Sequence, residues 1–222
     1  MHSRIDHLVI GAGDLVQGVE YVKDCLGVDI PFGGVHTKMG THNHLMSLDQ
    51  DIFLEVIAVN PDMKSPESPR WFGLDDPHIR QQIRVKPALL TWVVNTENID
   101  RLLGQTRFSF GKAQLIHRGN LSWYFGLPDD GRLLAGGMLP YVLEWQTDFH
   151  PSKKMADTGC RIQRLEIYHS NPIWFQSVLT SIGAENLADV HSLPENSPPY
   201  LVAYVDTPKG VKVLSSLGES WE

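Results

Sequence analysis

Cysteine, basic clusters and long apolar runs are scarce or absent in this sequence of 222 residues. Its two cysteines, Cys25 and Cys160, lie far apart, which is typical of buried thiols in a reducing compartment and not of a disulfide framework. Lysine and arginine number 19 against 26 acidic residues, which gives a formal net charge of −7. A nucleic acid or an acidic membrane surface would favour the opposite sign, so neither is an expected partner.

No apolar run approaches the roughly 18 residues that a membrane span needs. The first residues, MHSRIDHLVIGAGD, enter a strand pattern without a signal segment. Hydrophobic residues make up 42% and charged residues 20% of the chain, which is typical of globular proteins. We therefore expect a cytoplasmic protein with a packed core.

A repeated order of elements is the main feature that the sequence does contain. Residues 5–10 form a β-rich run, and Asp14 can cap a helix that Gly27 ends. An extended stretch begins at Val28, and two further strands are predicted at 44–48 and 52–59.

The same order of strand, helix and strands returns twice. The second copy has strands at 88–94, 113–117, 121–126 and 141–145, with a helix opening at 98–103. The third copy has a strand from 161, a helix at 172–182 and strands at 200–205 and 211–215. We predict a single domain over residues 1–222, with modules at about 4–59 and 88–146, a shorter one at 161–216, and a linking loop with a short helix at 60–87.

These repeats predict an α+β fold of βαβββ modules curled around a cleft. A single module cannot bury both faces of its sheet, so the copies should pair edge to edge. A ferredoxin-like α+β pair would also alternate strands and helices, and it remains the alternative.

Three side chains stand out as candidates for chemistry. His7 lies in the first strand, and Glu55 and Glu144 each lie inside an apolar strand, in FLEV and VLEW. A charged group in a half-buried strand costs several kcal/mol unless it meets a counter-charge or a metal. An imidazole with carboxylates suits a divalent metal ion. The alternative is a salt-bridged or hydrogen-bonded histidine–glutamate pair without metal.

The segments IDHLVIGAGDL, GTHNHL, FLEVIAVNP, RWFGLDDP and GLPDDGRLLAGGMLPYVLEWQTDFHPS resemble the glyoxalase-like domain family of the vicinal oxygen chelate (glyoxalase/bleomycin resistance/dioxygenase) superfamily. The resemblance runs from residue 4 to about 172. It implies paired βαβββ modules and a cleft in which many members bind a divalent metal ion such as zinc, nickel, iron or manganese. His7, Glu55 and Glu144 fit three of the four ligand places of the superfamily pattern.

The fourth ligand place departs from that pattern. Thr91 stands opposite His7 in the second copy, and Arg164 stands there in the third. This departure counts against a full glyoxalase I assignment and against ring-cleaving dioxygenase chemistry. His36 or His44 is the candidate to complete the site.

Two functions from different classes follow. The first is a metal-dependent lyase or isomerase acting on a small oxygenated substrate, with Glu55 and Glu144 as catalytic carboxylates. The second is a metal-free small-molecule binding or resistance-type protein. His36, Asn43 and Arg70 are the predicted contacts to the small molecule in either case. A monomer and a homodimer both remain open.

Overall fold

The computed structural model describes residues 2–216, which form an eight-stranded and a four-stranded sheet with helices packed against them. Residue 1 and residues 217–222 of the predicted domain lie outside this described part. No helix within residues 2–216 is both long and apolar enough to cross a membrane.

The first module follows the predicted order of strand, helix and three strands. Its elements are β1 (Arg4–Gly11), α1 (Leu15–Leu26), β2 (Phe32–His36), β3 (Thr41–Asp49) and β4 (Ile52–Val59). The Asp14 carboxylate accepts a hydrogen bond from the Gln17 backbone N–H and begins α1, as predicted. Gly27, with a φ of 74°, ends it. The strand expected from Val28 starts later, at Phe32.

The second module repeats this order after the linking segment. That segment holds the predicted short helix, α2 (Pro77–Val85), which Asp76 caps. The module itself comprises β5 (Ala88–Asn95), α3 (Ile99–Gln105), β6 (Lys112–Arg118), β7 (Leu121–Leu127) and β8 (Tyr141–Trp145).

The two modules pair edge to edge in one sheet of order β2-β3-β4-β1-β5-β8-β7-β6. At its centre β1 pairs antiparallel with β5, while β1–β4 and β5–β8 are parallel pairs, so one half mirrors the strand order of the other. This symmetric sheet confirms the predicted α+β fold of βαβββ modules. A ferredoxin-like pair does not describe it.

The third unit forms a separate sheet of order β10-β9-β11-β12. Its elements are β9 (Arg161–His169), α4 (Pro172–Ser181), β10 (Asp189–Ser192), β11 (Tyr200–Thr207) and β12 (Gly210–Ser215). The Ser3 hydroxyl, just before β1, donates a hydrogen bond of 2.6 Å to the Ile182 carbonyl. Buried side chains of both sheets belong to one hydrophobic core.

Packing of α1 on β4 decides which way the key carboxylate points. Gly18 of α1 lies so close to Val56 that a Cβ at this position would overlap the Val56 side chain. Val56 therefore faces the helix layer. Because side chains alternate along a strand, Glu55 faces the opposite side of the sheet, where the sheet curls around a cavity.

Candidate functional site

A small cavity of about 40 Å³ lies on the concave face of the large sheet. Its polar lining consists of His7, His36, Asn43, Glu55 and Arg118. Its aromatic walls come from Phe53, Trp71, Phe72, Trp123, Phe125 and Trp145. The volume exceeds that needed for a single water molecule and leaves room for only a few heavy atoms.

His7 is held by a fully buried carboxylate on the neighbouring residue of β1. His7 Nδ1 lies 2.6 Å from Asp6 Oδ1, and the ring stacks on Phe53 with centroids 4.4 Å apart. Burial raises the pKa of Asp6, but hydrogen bonds from His150 and His7 outweigh this and hold it well below its usual range. Asp6 is therefore ionised and accepts the Nδ1 proton of His7, which turns Nε2 toward the cavity.

Glu55 faces that Nε2 atom and has an orienting partner of its own. Asn43 Nδ2 donates a hydrogen bond of 2.6 Å to Glu55 Oε1, so the side-chain amide fixes the carboxylate. The other oxygen, Oε2, lies 3.7 Å from His7 Nε2. This separation is too long for a hydrogen bond and leaves both atoms available to a ligand. Glu55 is only 5% exposed, so the pair is nearly dry.

His36 and Arg118 form the opposite side of the cavity. Arg118 Nη1 donates to His36 Nε2 at 3.2 Å and to Asn43 Oδ1 at 3.3 Å. His36 Nδ1 lies 3.1 Å from the Thr41 hydroxyl oxygen and donates to it, because Nε2 is already the acceptor. Burial lowers the pKa of His36 to about 3, and the Arg118 charge acts in the same direction. His36 is thus a neutral ring beside a guanidinium.

We expect the His36 ring to stay neutral from pH 8 to about pH 5, whereas an unperturbed imidazole titrates near about 6.5. Since its pKa is lower in the folded than in the unfolded chain, His36 reduces stability progressively as the pH falls below about 6.5. Ring chemical shifts followed by NMR check this, with His36→Gln assigning the resonance. A titration midpoint near 6.5 would contradict the buried, neutral ring.

Comparison with known proteins identifies the fold family of this site. The model of the glyoxalase-like domain matches residues 5–183. The protein belongs to the glyoxalase-like domain family. No curated protein matches the chain at a significant level.

Solved structures similar to this glyoxalase-like chain are distant in sequence. A hypothetical protein from Staphylococcus aureus is 15% identical, with a TM-score of 0.58 over 91% of this chain and 81% of that one. This likeness supports the fold. Methylmalonyl-CoA epimerase from Mycobacterium tuberculosis is 19% identical, with a TM-score of 0.37 over 64% and 85% of the two chains. A mutant of 4-hydroxymandelate synthase from Streptomyces coelicolor is 11% identical, with a TM-score of 0.43 over 97% and 63%.

Glu144, predicted as a metal ligand and catalytic group, does not reach the cavity. Leu143 and Trp145 line the cavity, so the side chain between them faces the other side of β8. There Glu144 Oε2 accepts a hydrogen bond of 2.8 Å from the Ile99 N–H at the start of α3. The structure thus places Glu144 away from this cavity, where its carboxylate stabilises a helix N-terminus.

Strand register explains why Glu144 does not lie at the place in the second module that Glu55 has in the first. In the parallel pairs, Val9 lies opposite Glu55 and Val93 lies opposite Tyr141. If Thr91 is the counterpart of His7, then Val93, two residues further along, is the counterpart of Val9. The residue opposite Val93, Tyr141, is therefore the counterpart of Glu55, and Glu144 is not. Tyr141 is buried, and its hydroxyl donates to the Arg132 carbonyl at 2.7 Å.

Two further predicted residues lie away from the cavity. The guanidinium and backbone N–H of Arg70 bind the Asp75 carboxylate, so Arg70 stabilises the linking segment and does not line the cavity. His44 alternates with the cavity-lining Asn43 and Leu45, and its Nδ1 lies 2.6 Å from the Ile30 carbonyl oxygen. Of the two histidines considered for completing the site, His36 is the one that lies at the cavity.

The ligand atoms at the cavity are too few for the divalent ion that the family resemblance implies. His7 Nε2 and Glu55 Oε2 offer two ligands, and Glu144 is on the far face. Within residues 2–216 no group of three or more histidine, cysteine, aspartate or glutamate side chains is placed to hold a metal ion. The nearby Arg118 guanidinium also opposes a second cation. The side chains present therefore do not fit a metal site of the predicted three-ligand type.

Asp6, Arg118 and His150 contribute to the site although the sequence did not single them out. Besides His7, Asp6 accepts hydrogen bonds from Trp145 Nε1 at 2.7 Å, and from Asn95 Nδ2 and His150 Nε2, each at 3.1 Å. The signal for Asp6 was its place directly before His7 in a hydrophobic strand. Arg118 and His150 gave no such signal. Arg118 precedes a turn and His150 follows the end of a strand, and the sequence at both places is typical of exposed segments.

Proposed function

We propose that this glyoxalase-like protein binds a small oxygenated metabolite in the cavity and transfers a proton at a carbon next to a carbonyl group. Glu55 acts as the general base and His7 as the proton donor to the carbonyl oxygen. The observation that carries the proposal is the facing of His7 Nε2 and Glu55 Oε2 across 3.7 Å, each oriented by a second buried side chain.

The proposed step conserves protons and electrons. Glu55 removes the proton from the carbon, and the electrons of that C–H bond form the double bond of an enol. At the same time the protonated ring of His7, which carries an N–H on both nitrogens, gives its Nε2 proton to the carbonyl oxygen and keeps the Nδ1 proton that Asp6 binds. Returning a proton to a different carbon completes an isomerisation, and loss of a leaving group from the enol gives a lyase reaction.

The buried surroundings support this chemistry. Aromatic side chains exclude water, so electrostatic interactions between the ligand and the charged groups are stronger than in solvent. The Asp6 carboxylate fixes the orientation of the His7 ring and stabilises its protonated form, as an orienting carboxylate does for a catalytic histidine.

A divalent ion bound by His7 and Glu55 is the second candidate. One observation favours it: metal-binding histidines commonly donate their other ring N–H to a carboxylate, as His7 does to Asp6. Such an ion would have only these two protein ligands, and water or the metabolite would complete its coordination. The third candidate is a metal-free binding protein that holds the same metabolite without turnover.

The proposal takes residues 1–222 as one domain, acting as a monomer or homodimer in the cytoplasm. The hydrogen bond between Ser3 and Ile182 and the shared hydrophobic core support one folding unit. The free thiols of Cys25 and Cys160 support a reducing compartment.

Solvent exchange tests the proposal directly. Short-chain 2-oxo acids and 2-hydroxyketones are incubated with the protein in deuterium oxide, and NMR follows deuterium incorporation beside the carbonyl group. We expect the protein to catalyse exchange on at least one of them and His7→Ala to abolish it. Binding of these compounds without any exchange would contradict the proposal and favour the binding protein.

A further inference from the structure

A second, larger pocket, called the outer pocket below, opens beside the cavity that His7 and Glu55 line, called the inner cavity. Its volume is about 280 Å³, and it lies between β2, β3, the β6–β7 turn and residues 149–156. Leu45 and Arg118 line both this outer pocket and the inner cavity. The two spaces are therefore neighbours that share these two lining residues.

The lining of the outer pocket is apolar and carries positive charge only. Its apolar side chains include Phe32, Leu45, Met46, Leu121, Phe149 and Met155. Arg118 and Lys154 are its charged residues, and none of its described lining residues is acidic. The whole chain has a net charge of −7, so the positive charge of this pocket has the opposite sign to that of the protein as a whole. Phe32 is 60% exposed, so much of its apolar surface faces solvent even though one edge of the ring contacts His44.

Arg118 stands at the junction without a direct ion pair, although the Glu55 carboxylate of the same cavity attracts its charge. Its described hydrogen bonds go to the neutral groups His36 Nε2 and Asn43 Oδ1. No carboxylate of residues 2–216 forms an ion pair with it at 4.0 Å or less. A half-buried guanidinium in this position is well placed for a bidentate contact with a carboxylate supplied by a ligand.

The inner cavity is too small for more than the reacting end of a metabolite, since it measures about 40 Å³. We propose that the ligand is an amphipathic carboxylate. Its carboxylate pairs with Arg118, its carbonyl end enters the inner cavity, and its apolar chain passes Leu45 into the outer pocket. This assignment rests on the proposed function for the position of the reacting carbon, and on the two pockets and their charge for the rest of the molecule.

Calorimetric titration with straight-chain carboxylates of increasing length, and with the primary alcohols of the same lengths, tests this ligand class. Affinity should rise about fourfold for each added methylene group until the outer pocket is full. The alcohols should bind at least roughly tenfold more weakly than the matching acids, because they cannot pair with Arg118.

Two variants separate the contributions of charge and apolar surface. Arg118→Gln should lower the affinity for the acids to the affinity for the alcohols. The gain in affinity per methylene group should stay the same. Phe32→Ser should reduce the gain in affinity per methylene group. The preference for acids over alcohols should stay the same. Ile173→Ser is the matched control, because Ile173 is 83% exposed on α4 and lines neither pocket. Thermal unfolding of each variant verifies that it is folded.

The outcomes distinguish this inference from the proposed function. Binding that is absent, independent of chain length or equal for acids and alcohols overturns the amphipathic carboxylate. If proton exchange still depends on His7 in that case, the proposed function stands. If affinity rises with chain length and acids bind more tightly than alcohols, but no proton exchange occurs, the ligand class is supported and the proposed reaction is overturned.

Discussion

Glu55→Gln is expected to lower the rate of proton exchange by about 100- to 10,000-fold, the usual contribution of a general base. Glutamine has the shape of glutamate, and its carbonyl oxygen can still accept the hydrogen bond from Asn43. The substitution thus removes the base and its charge while it preserves the cavity. NMR measurement of deuterium incorporation gives the rate, and thermal unfolding verifies the fold.

Glu144→Gln is the matched control for this experiment. Glu144 sits in the equivalent sequence pattern, but its carboxylate caps α3 on the other face of β8. We expect exchange to remain within about twofold of the original rate, with a stability loss of about 1 kcal/mol from the weakened cap. A Glu144→Gln protein as inactive as the Glu55→Gln protein would contradict the assignment of Glu55 as the base.

Asp6→Asn is expected to lower the free energy of unfolding by about 3–5 kcal/mol, as does removal of one partner from a buried charged network. Asp6 is fully buried and accepts hydrogen bonds from His7, His150, Asn95 and Trp145. An asparagine would turn an N–H₂ group toward some of these donors and leave them without an acceptor. Denaturant unfolding measures the difference. Asp24→Asn, at an exposed position of α1, should change stability by no more than about 0.5 kcal/mol.

The effect of Asp6 should also depend on pH with a defined sign. The pKa of Asp6 is lower in the folded than in the unfolded chain, so its contribution is complete above the unfolded value of roughly 4 and is lost as the pH falls below it. The stability gap between the protein and its Asp6→Asn variant should therefore narrow below about pH 4. A gap that is small at neutral pH, or that widens in acid, would contradict the buried ionised carboxylate.

The fold was predictable because it is built on repeats and local signals. The strand over 141–145 was predicted with the bounds that the structure shows, and Asp14 caps α1 as predicted. Apolar periodicity and capping residues act within a few positions of each other, so a single sequence displays them. The start of β2 was missed since Phe32-Gly33-Gly34 carries little strand signal, and its pairing with β3 decides the structure.

The candidate site was predictable only in part. His7 and Glu55 attracted attention as polar groups in apolar strands, and strand alternation brings both to one cavity. The sequence predicted Glu144 at the site because VLEW resembles FLEV. Similar residues in two strands do not determine strand register, which depends on the β5–β8 pairing. Arg118 reaches His36 from a position 82 residues away in sequence. Such a contact follows from the closure of the sheet, and no local pattern shows it.

The most direct test of the account is proton exchange measured with and without a strong chelator such as EDTA. The account predicts that the wild-type protein exchanges the proton beside the carbonyl group at the same rate in both conditions, and that His7→Ala and Glu55→Gln are both inactive. Exchange that disappears with chelator and returns with added zinc, nickel, iron or manganese would contradict the paired acid and base, and would establish His7 and Glu55 as metal ligands.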